Sequence, residues 1–322
     1  MTPKEIEDFR LRVNVGNGKV VELSMEELKN FPKTEFVVTL QCSGNRRAGF
    51  NDVARTSGTG WYQGAISTAK WGGVRLRDIL QHCGIGEEEY DAHANSHVEF
   101  SSMDDFQVSI GFTKAFEKSG DVLIAYEMNG ETLPRDHGFP LRAIVPGYIG
   151  VRNCKWLKEI SVNPEQADSP YQRGLNYKIL PPGVMDAKGV DLSKFPSMYE
   201  ASVFSGITQA NLDLDSHSVV VKGWAWAGGG RNVARVDVTL DNGQTWTPAN
   251  IEQGGDQPFG KAWAWVFWSV KVPISDSTSN EPITVASKAV DVAYNSQPED
   301  CRHMWNLRGL SNNSWFRFKV DR

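Results

Sequence analysis

The run Phe36-Val37-Val38-Thr39-Leu40-Gln41 stops at Cys42-Ser43-Gly44-Asn45-Arg46-Arg47, and this junction constrains the chain more than any other feature. An apolar, β-branched run reads as a buried strand. Ending it on one cysteine, a glycine turn and two adjacent arginines delivers a soft donor and a positive field to one place. A thiolate beside a cationic pocket suits a thiophilic metal working on a small oxyanion. Cysteine is also among the most buried residue types, and a lone one is commonly packing. Cys42 by itself supports both readings, so the rest of the chain has to choose.

With 322 residues, the chain is long for one core and implies two domains. Apolar content of 40% with 23% charged residues describes an ordinary globular protein. A net charge of −5 offers no basic field for nucleic acid or an anionic membrane. An anion site must therefore come from locally clustered arginines. No apolar run reaches membrane-spanning length, and the polar start Met1-Thr2-Pro3-Lys4-Glu5 is unlike a leader. The expectation is a soluble, intracellular protein, of the cytoplasm or the mitochondrial intermembrane space. Cys42, Cys83, Cys154 and Cys301 lie far apart without a C-x-x-C, which argues against a zinc site and fits a reducing compartment. Asn312-Asn313-Ser314 matches the glycosylation pattern but is expected to be idle.

The first half mixes strand and helix signals. Phe9–Val15 and Lys19–Leu23 read as a hairpin about Gly16-Asn17-Gly18, and Ser24 with Glu27 forms a capping box opening a helix toward Phe31. A second helix is expected over Val74–His82, ending at Gly84. Strands are expected near His97–Phe100, Val122–Tyr126 and Leu141–Val145, giving an α+β domain without the regular alternation of a dinucleotide fold. Residues 164–200, rich in proline, read as a long connection. Beyond them Val219–Trp226, Ala234–Leu240, Ala262–Val272 and Ile283–Val290 read as strands, with Asp241-Asn242-Gly243 as a hairpin turn. That spacing predicts an immunoglobulin-like β-sandwich whose tryptophans serve the core or a subunit interface.

Near the middle stands Arg135-Asp136-His137-Gly138-Phe139-Pro140-Leu141-Arg142, followed by Gly150-Val151-Arg152-Asn153-Cys154-Lys155. Glycine-punctuated loops carrying His137, Arg142, Arg152 and Lys155 suit a phosphate-bearing cofactor, although a solvated basic surface would be spelled the same way.

Several segments together carry a resemblance: QCSGNRR at 41–47, GAI and WGG within 61–73, AYEMNGE at 125–131, RDHGFPLR at 135–142, NYK at 176–178, GWAWAGGG at 223–230, KAWAW at 261–265 and WNLRG at 305–309. In this order they resemble the eukaryotic sulfite oxidase family of molybdenum-cofactor enzymes in its haem-free form, from about residue 9 to the C-terminus. The resemblance implies a mixed α/β molybdopterin-binding domain over 1–190 and an immunoglobulin-like dimerisation domain over 191–322.

It also implies roles. Cys42 matches the thiolate that binds molybdenum. Asp104, His137, Arg142, Asn153, Cys154 and Lys155 match positions that hold the pterin and its phosphate. Arg47, Trp61, Tyr177 and Arg308 match the pocket that receives the substrate anion. Cys83 and Cys301 match no role and are expected to be structural. The activity implied is oxidation of sulfite to sulfate, with electrons passed to oxygen or a soluble cytochrome, in a homodimer.

Assimilatory nitrate reductase resembles the chain in fold, cofactor and cysteine, but typically carries methionine at the position of Arg308 and asparagine at that of Tyr177. Arg308 offers a fixed fork for a doubly charged oxyanion, and Tyr177 can bond an anion and help move a proton. Two departures stand against the family pattern. The family's N-terminal Arg-Asn-His segment, with one more pocket arginine, has no match before Asp8, and Ser43 replaces the commoner alanine. A cofactor-free dimeric binding module is the alternative of another class. The chain also lacks the His-Pro-Gly-Gly motif of a haem domain.

Overall fold

A computed structural model describes residues 7–16, 18–274 and 281–321. Contacts divide the chain into two compact units. The first holds the stretch ending at Ser43, with Ser67–Leu180 and Asp186–Tyr199. The second holds Gly44–Ile66, Pro181–Met185 and the chain from Glu200 onward. Among the described residues no helix is long and apolar enough to cross a membrane.

The first unit contains two sheets. One runs in the order Val20–Ser24, Arg10–Asn14, Leu157–Asn163, His97–Ser102, Gln107–Gly111. Arg10–Asn14 pairs in parallel with Leu157–Asn163, which joins the start of the described chain to a strand far along it. The expected hairpin is present, with Val20–Ser24 antiparallel to Arg10–Asn14; Asn17 of its turn lies outside the described residues. Ser24 caps the helix Met25–Asn30, and Glu27 returns to the Ser24 N–H at 2.8 Å, completing the expected capping box.

The other sheet is ordered Lys33–Gln41, Ile66–Arg75, Leu123–Met128, Glu131–Thr132, with Arg142–Ile144 also on Leu123–Met128. The run Phe36–Gln41, expected as a buried strand, lies within the strand Lys33–Gln41. That strand is the edge of its sheet, so Val37 is 51% exposed while Val38 is buried. The helix expected from Val74 begins at Leu76, because Val74 and Arg75 still pair with Ile124 and Leu123. Leu11, Val13, Phe100, Phe112, Phe116 and Ile160 belong to one core, where the Phe112 and Phe116 rings stack at 5.1 Å. Between Asn163 and Val203 there is no strand or α-helix, as the prolines predict, only the short 3-10 turns Leu175–Tyr177 and Leu192–Lys194.

The second unit is a β-sandwich of two four-stranded sheets. The first is ordered Val203–Asp213, Ser218–Ala227, Val266–Pro273, Asn250–Gln253. The second is ordered Thr247–Pro248, Val233–Thr239, Ile283–Asp291, Phe316–Val320. Trp224, Trp226, Trp263 and Trp268 are all buried, as expected of a tryptophan-rich core. Ala262–Trp265 stays outside the strand expected there. The Gln257 side chain takes its backbone groups, accepting from Ala264 N at 2.7 Å and donating to Ala264 O at 2.8 Å.

His97 is half-buried in the first unit, with Nδ1 3.2 Å from the Ser109 hydroxyl. Burial pushes its pKa below the ordinary 6.5, and Arg152 and Arg173 add to the shift. Below pH 6.5 the unfolded chain therefore takes up a proton that the folded chain resists, so stability falls as the pH drops through and under that value. We expect the melting temperature to decline from about pH 7 to about pH 5.5, and His97→Asn to flatten part of that decline. Calorimetry at stepped pH measures it; equal slopes in parent and variant would remove His97 from the account.

Candidate functional site

Cys42 follows directly on the strand Lys33–Gln41 and is half-buried. Its backbone is closely covered: a Cβ on Gly150 would stand 3.3 Å from Gln41 O and 3.8 Å from Cys42 N. On either side of Cys42 in sequence, Gln41 Oε1 and Ser43 Oγ are buried and have no hydrogen-bond partner. Leaving such atoms unpaired costs about 1–3 kcal/mol each. A polar group delivered to the Cys42 corner would recover that cost.

The histidine loop and the strand that follows it meet in the same unit. Arg142 donates from Nη1 to His137 O at 2.8 Å and from Nη2 to Asn153 O at 3.3 Å, with its guanidinium 4.6 Å above the Trp71 ring. Arg142 Nε is buried without a partner. Burial lowers the Arg142 pKa to about 10, so it remains a cation at neutral pH. Asn153 is fixed at both ends of its amide, accepting from Val145 N at 2.7 Å and donating to Ile149 O at 3.0 Å. Lys155 Nζ donates to Asp136 O at 2.9 Å, and Met103 N donates to Trp156 O at 2.9 Å, which brings the Asp104 turn beside them. His137 and Asp104 are exposed, and the Asp104 carboxylate accepts from the Ser102 hydroxyl. The structure thus brings His137, Arg142, Asn153, Lys155 and Asp104 into one neighbourhood. The Cys154 thiol is enclosed in the core and pushed up to about 12 by burial, with Asp104 adding to the rise, so its side chain packs.

Arg152 departs from the sequence expectation. It was grouped with the phosphate-facing cations, yet it is fully buried. Its Nε donates to Met198 O at 3.0 Å, and its guanidinium lies 5.0 Å from the Tyr199 ring and 5.9 Å from the Tyr177 ring. Tyr177 ends the 3-10 turn Leu175–Tyr177, half-buried, and its carbonyl accepts from Met198 N at 2.9 Å.

Arg47, Trp61 and Arg308 belong to the second unit. Arg46 occupies a left-handed position with φ of 65° and opens the 3-10 turn Arg47–Asp52. Its guanidinium turns inward, donating to Ser314 O at 2.5 Å and Trp315 O at 3.1 Å. Asn312, the glycosylation candidate, is buried and donates from Nδ2 to Arg46 O at 3.0 Å, so it is closed to modification in this fold.

Arg47 donates from Nε to Arg308 O at 2.9 Å and from Nη1 to Thr59 O at 2.8 Å. Glycines clear its path. A Cβ on Gly58, at φ +132°, would stand 2.9 Å from Arg47 Cζ. One on Gly309, at φ +59°, would stand 2.9 Å from Arg47 Cδ. Arg308 donates from Nη1 to Ser57 Oγ at 2.9 Å, while its Nε is buried without a partner. Trp61 is 47% exposed, and its backbone N–H donates to Thr59 O at 2.9 Å.

Sequence reading missed Ser57 and Thr59; the visible signal was the polar, glycine-containing run Thr56-Ser57-Gly58-Thr59-Gly60 immediately before Trp61. Because any Cβ at residue 309 meets both a left-handed backbone and Arg47, Gly309→Ala should destabilise the protein by about 1–2 kcal/mol from the backbone alone. Urea unfolding followed by tryptophan fluorescence measures this, and an unchanged midpoint would contradict the packing described.

Comparison with known proteins divides the chain along its sequence, with Gly44–Ile66 inside the first match although its contacts place it in the second unit. A family described as oxidoreductase molybdopterin binding domain matches residues 1–171, and one described as Mo-co oxidoreductase dimerisation domain matches residues 198–322. The chain is similar to sulfite oxidase of Gallus gallus, at 43% identity over 97% of this chain and 68% of that protein. It is equally similar to mitochondrial sulfite oxidase of Homo sapiens, at 43% identity over 97% of this chain and 57% of that protein. The chain thus spans between about half and two thirds of the length of these relatives. Among solved structures it resembles the sulfane dehydrogenase SoxCD of Paracoccus pantotrophus, with a TM-score of 0.77 and 24% identity, over 98% of this chain and 76% of that one.

Proposed function

We propose that this chain, which belongs to the sulfite oxidase family of molybdopterin-binding oxidoreductases, oxidises sulfite to sulfate at a molybdenum centre that takes the Cys42 thiolate as its protein ligand. The observation that carries the reading is the buried, unpartnered Nε of Arg308. A guanidinium N–H kept from water and from protein acceptors is prepared for an oxyanion. Among the described residues no three His, Cys, Asp or Glu side chains converge to hold a metal. A metal here would need ligands brought by a cofactor, and a single soft thiolate with pterin sulfurs is such a donor set. The unpaired Gln41 Oε1, Ser43 Oγ and Arg142 Nε fit a polar group arriving beside them.

When bound, the molybdenum cofactor supplies two-electron acceptance and oxygen transfer to sulfur. The chain's residues hold and orient. His137 carries a donor and Arg142 and Lys155 carry donors and positive charge for the pterin phosphate, Asn153 keeps their loop in shape, and Asp104 accepts from pterin N–H groups. The Cys154 position contributes packing beneath them. Arg47 and Arg308 hold the anion by charge-assisted bonds, and Trp61 supplies a flat apolar wall. Tyr177 can donate to an anion oxygen and pass its proton. Arg308 and Tyr177 both favour sulfite over nitrate as substrate. The domain named for dimerisation supports a homodimer, with 1–190 as the catalytic part and 191–322 as the sandwich. Electrons then leave to an external acceptor, oxygen or a soluble cytochrome.

Expression in a host that makes the molybdenum cofactor, followed by metal analysis and sulfite kinetics, tests the proposal. The reading expects about one molybdenum per chain and sulfite-dependent turnover. Metal near zero would favour a cofactor-free binding module. Cys42→Ser should abolish turnover with an unchanged melting temperature. Arg308→Ala should raise the KM for sulfite about 30–150-fold, the equivalent of about 2–3 kcal/mol for a hydrogen bond to a charged group. A KM equal to the parent's would remove Arg308 from the substrate site.

A further inference from the structure

One short strap, Ser57 to Trp61, holds every group assigned to the anion site in the second unit. Ser57 N donates to Leu307 O at 2.7 Å, anchoring the strap to the segment that carries Arg308. Thr59 O accepts from Arg47 Nη1 at 2.8 Å and from Trp61 N at 2.9 Å. Among these contacts only one comes from a strap side chain: Ser57 Oγ, which accepts from Arg308 Nη1 at 2.9 Å.

A guanidinium has two edges that can grip two oxygens at once, Nη1–Nη2 and Nε–Nη2. The Ser57 hydroxyl occupies one Nη1 N–H and so competes with an anion for the first edge. The second includes Nε, which is buried and unpartnered. The Arg308 main chain is itself anchored, its carbonyl accepting from Arg47 Nε at 2.9 Å. We propose that Ser57 is a positioning and specificity-determining residue: its hydroxyl turns Arg308 so that the Nε–Nη2 edge faces the substrate, favouring anions that present two oxygens in a plane. The inference rests on the reading of Arg308 as the anion receiver. Its chemical consequence is selectivity. A sulfite or sulfate ion uses both N–H groups of that edge, whereas chloride, a single point acceptor, gains little from the orientation.

Space at Ser57 permits a clean test. An open cavity of about 740 Å³ is lined by Asn51, Arg55, Thr56, Ser57, Gly58 and Leu307. Ser57 itself is exposed, so neither removal of its hydroxyl nor one added methyl disturbs a core. The experiment uses molybdenum-loaded protein and compares Ser57→Ala, Ser57→Thr and Arg308→Ala. It measures kcat and KM for sulfite, the dissociation constant of inorganic sulfate by intrinsic tryptophan fluorescence, and the inhibition constant of chloride.

For Ser57→Ala the sulfite KM and sulfate dissociation constant should each rise about fivefold, with kcat and chloride inhibition within about twofold of the parent. Ser57→Thr, which keeps the hydroxyl, should restore parental values to within about twofold. Unchanged sulfate binding in Ser57→Ala, with Arg308→Ala weakened, would overturn the role of Ser57 and leave that of Arg308 standing. Equal weakening of chloride and sulfate in Ser57→Ala, or a threonine variant as impaired as alanine, would also overturn it. If Arg308→Ala binds sulfate like the parent, the assignment of Arg308 fails and this inference fails with it.

Discussion

Arginine held by backbone carbonyl is the interaction on which both candidate regions depend. Arg142 donates to His137 O and Asn153 O, Arg152 to Met198 O and Tyr171 O, Arg46 to Ser314 O and Trp315 O, and Arg47 to Thr59 O and Arg308 O. A carbonyl satisfies the N–H groups without cancelling the charge. Burial lowers Arg46, Arg142 and Arg152 to about 10, so each stays cationic at neutral pH. A chain with net charge −5 thereby keeps local positive potential around these loops. Had these partners been carboxylates, the loops would be equally well tied and the potential largely lost.

The same bonds order the loops. Proline- and glycine-rich segments leave carbonyls outside any strand ladder, and each guanidinium gathers such carbonyls from separate segments. Arg47 joins the Thr59 strap to the Arg308 turn, and Arg152 joins the Met198 segment to the Tyr171 segment. Burying an unneutralised cation costs several kcal/mol, and hydrogen bonds to a charged group return about 1.5–3 kcal/mol each. The aromatic faces of Trp71 beneath Arg142 and of Tyr199 beside Arg152 add cation–π attraction. The remainder is carried by the apolar cores of the two units.

Much of the fold was legible because its signals are local. The capping box at Ser24 and Glu27, the hairpin before it and the alternating strand Val233–Thr239 each follow from neighbouring residues. The failures involve partners outside the local pattern. Phe36–Gln41 spells a buried strand, yet its exposure depends on its strand being first in the sheet order. Ala262–Trp265 spells a strand, yet Gln257 claims its backbone groups. Arg152 and Arg142 are spelled alike and both are buried, and what separates them is distant packing, tyrosines around Arg152 and the Trp71 face under Arg142. The candidate site was legible only through many motifs taken together, because Arg47 and Arg308, 261 positions apart, have no local pattern in common. Ser57 was marked only by the polar, glycine-containing run before Trp61, and a serine in such a loop looks like any turn residue.

Rigid arginines also bear on how such a pocket could select its anion. A flexible cation adapts to any anion and loses conformational entropy in doing so, whereas one fastened beforehand by carbonyls binds only what matches its presented edge. The clearance glycines permit this fixation, since a Cβ at Gly58 or Gly309 would stand in the space that the Arg47 side chain occupies. The cost of ordering is met during folding, as the strap closes on Leu307 and Arg308, and the substrate is spared it. A pocket built in this way gains discrimination from geometry that exists before the anion arrives. The residues that set that geometry, an exposed serine and two glycines, are themselves uncharged and carry no mark of catalysis.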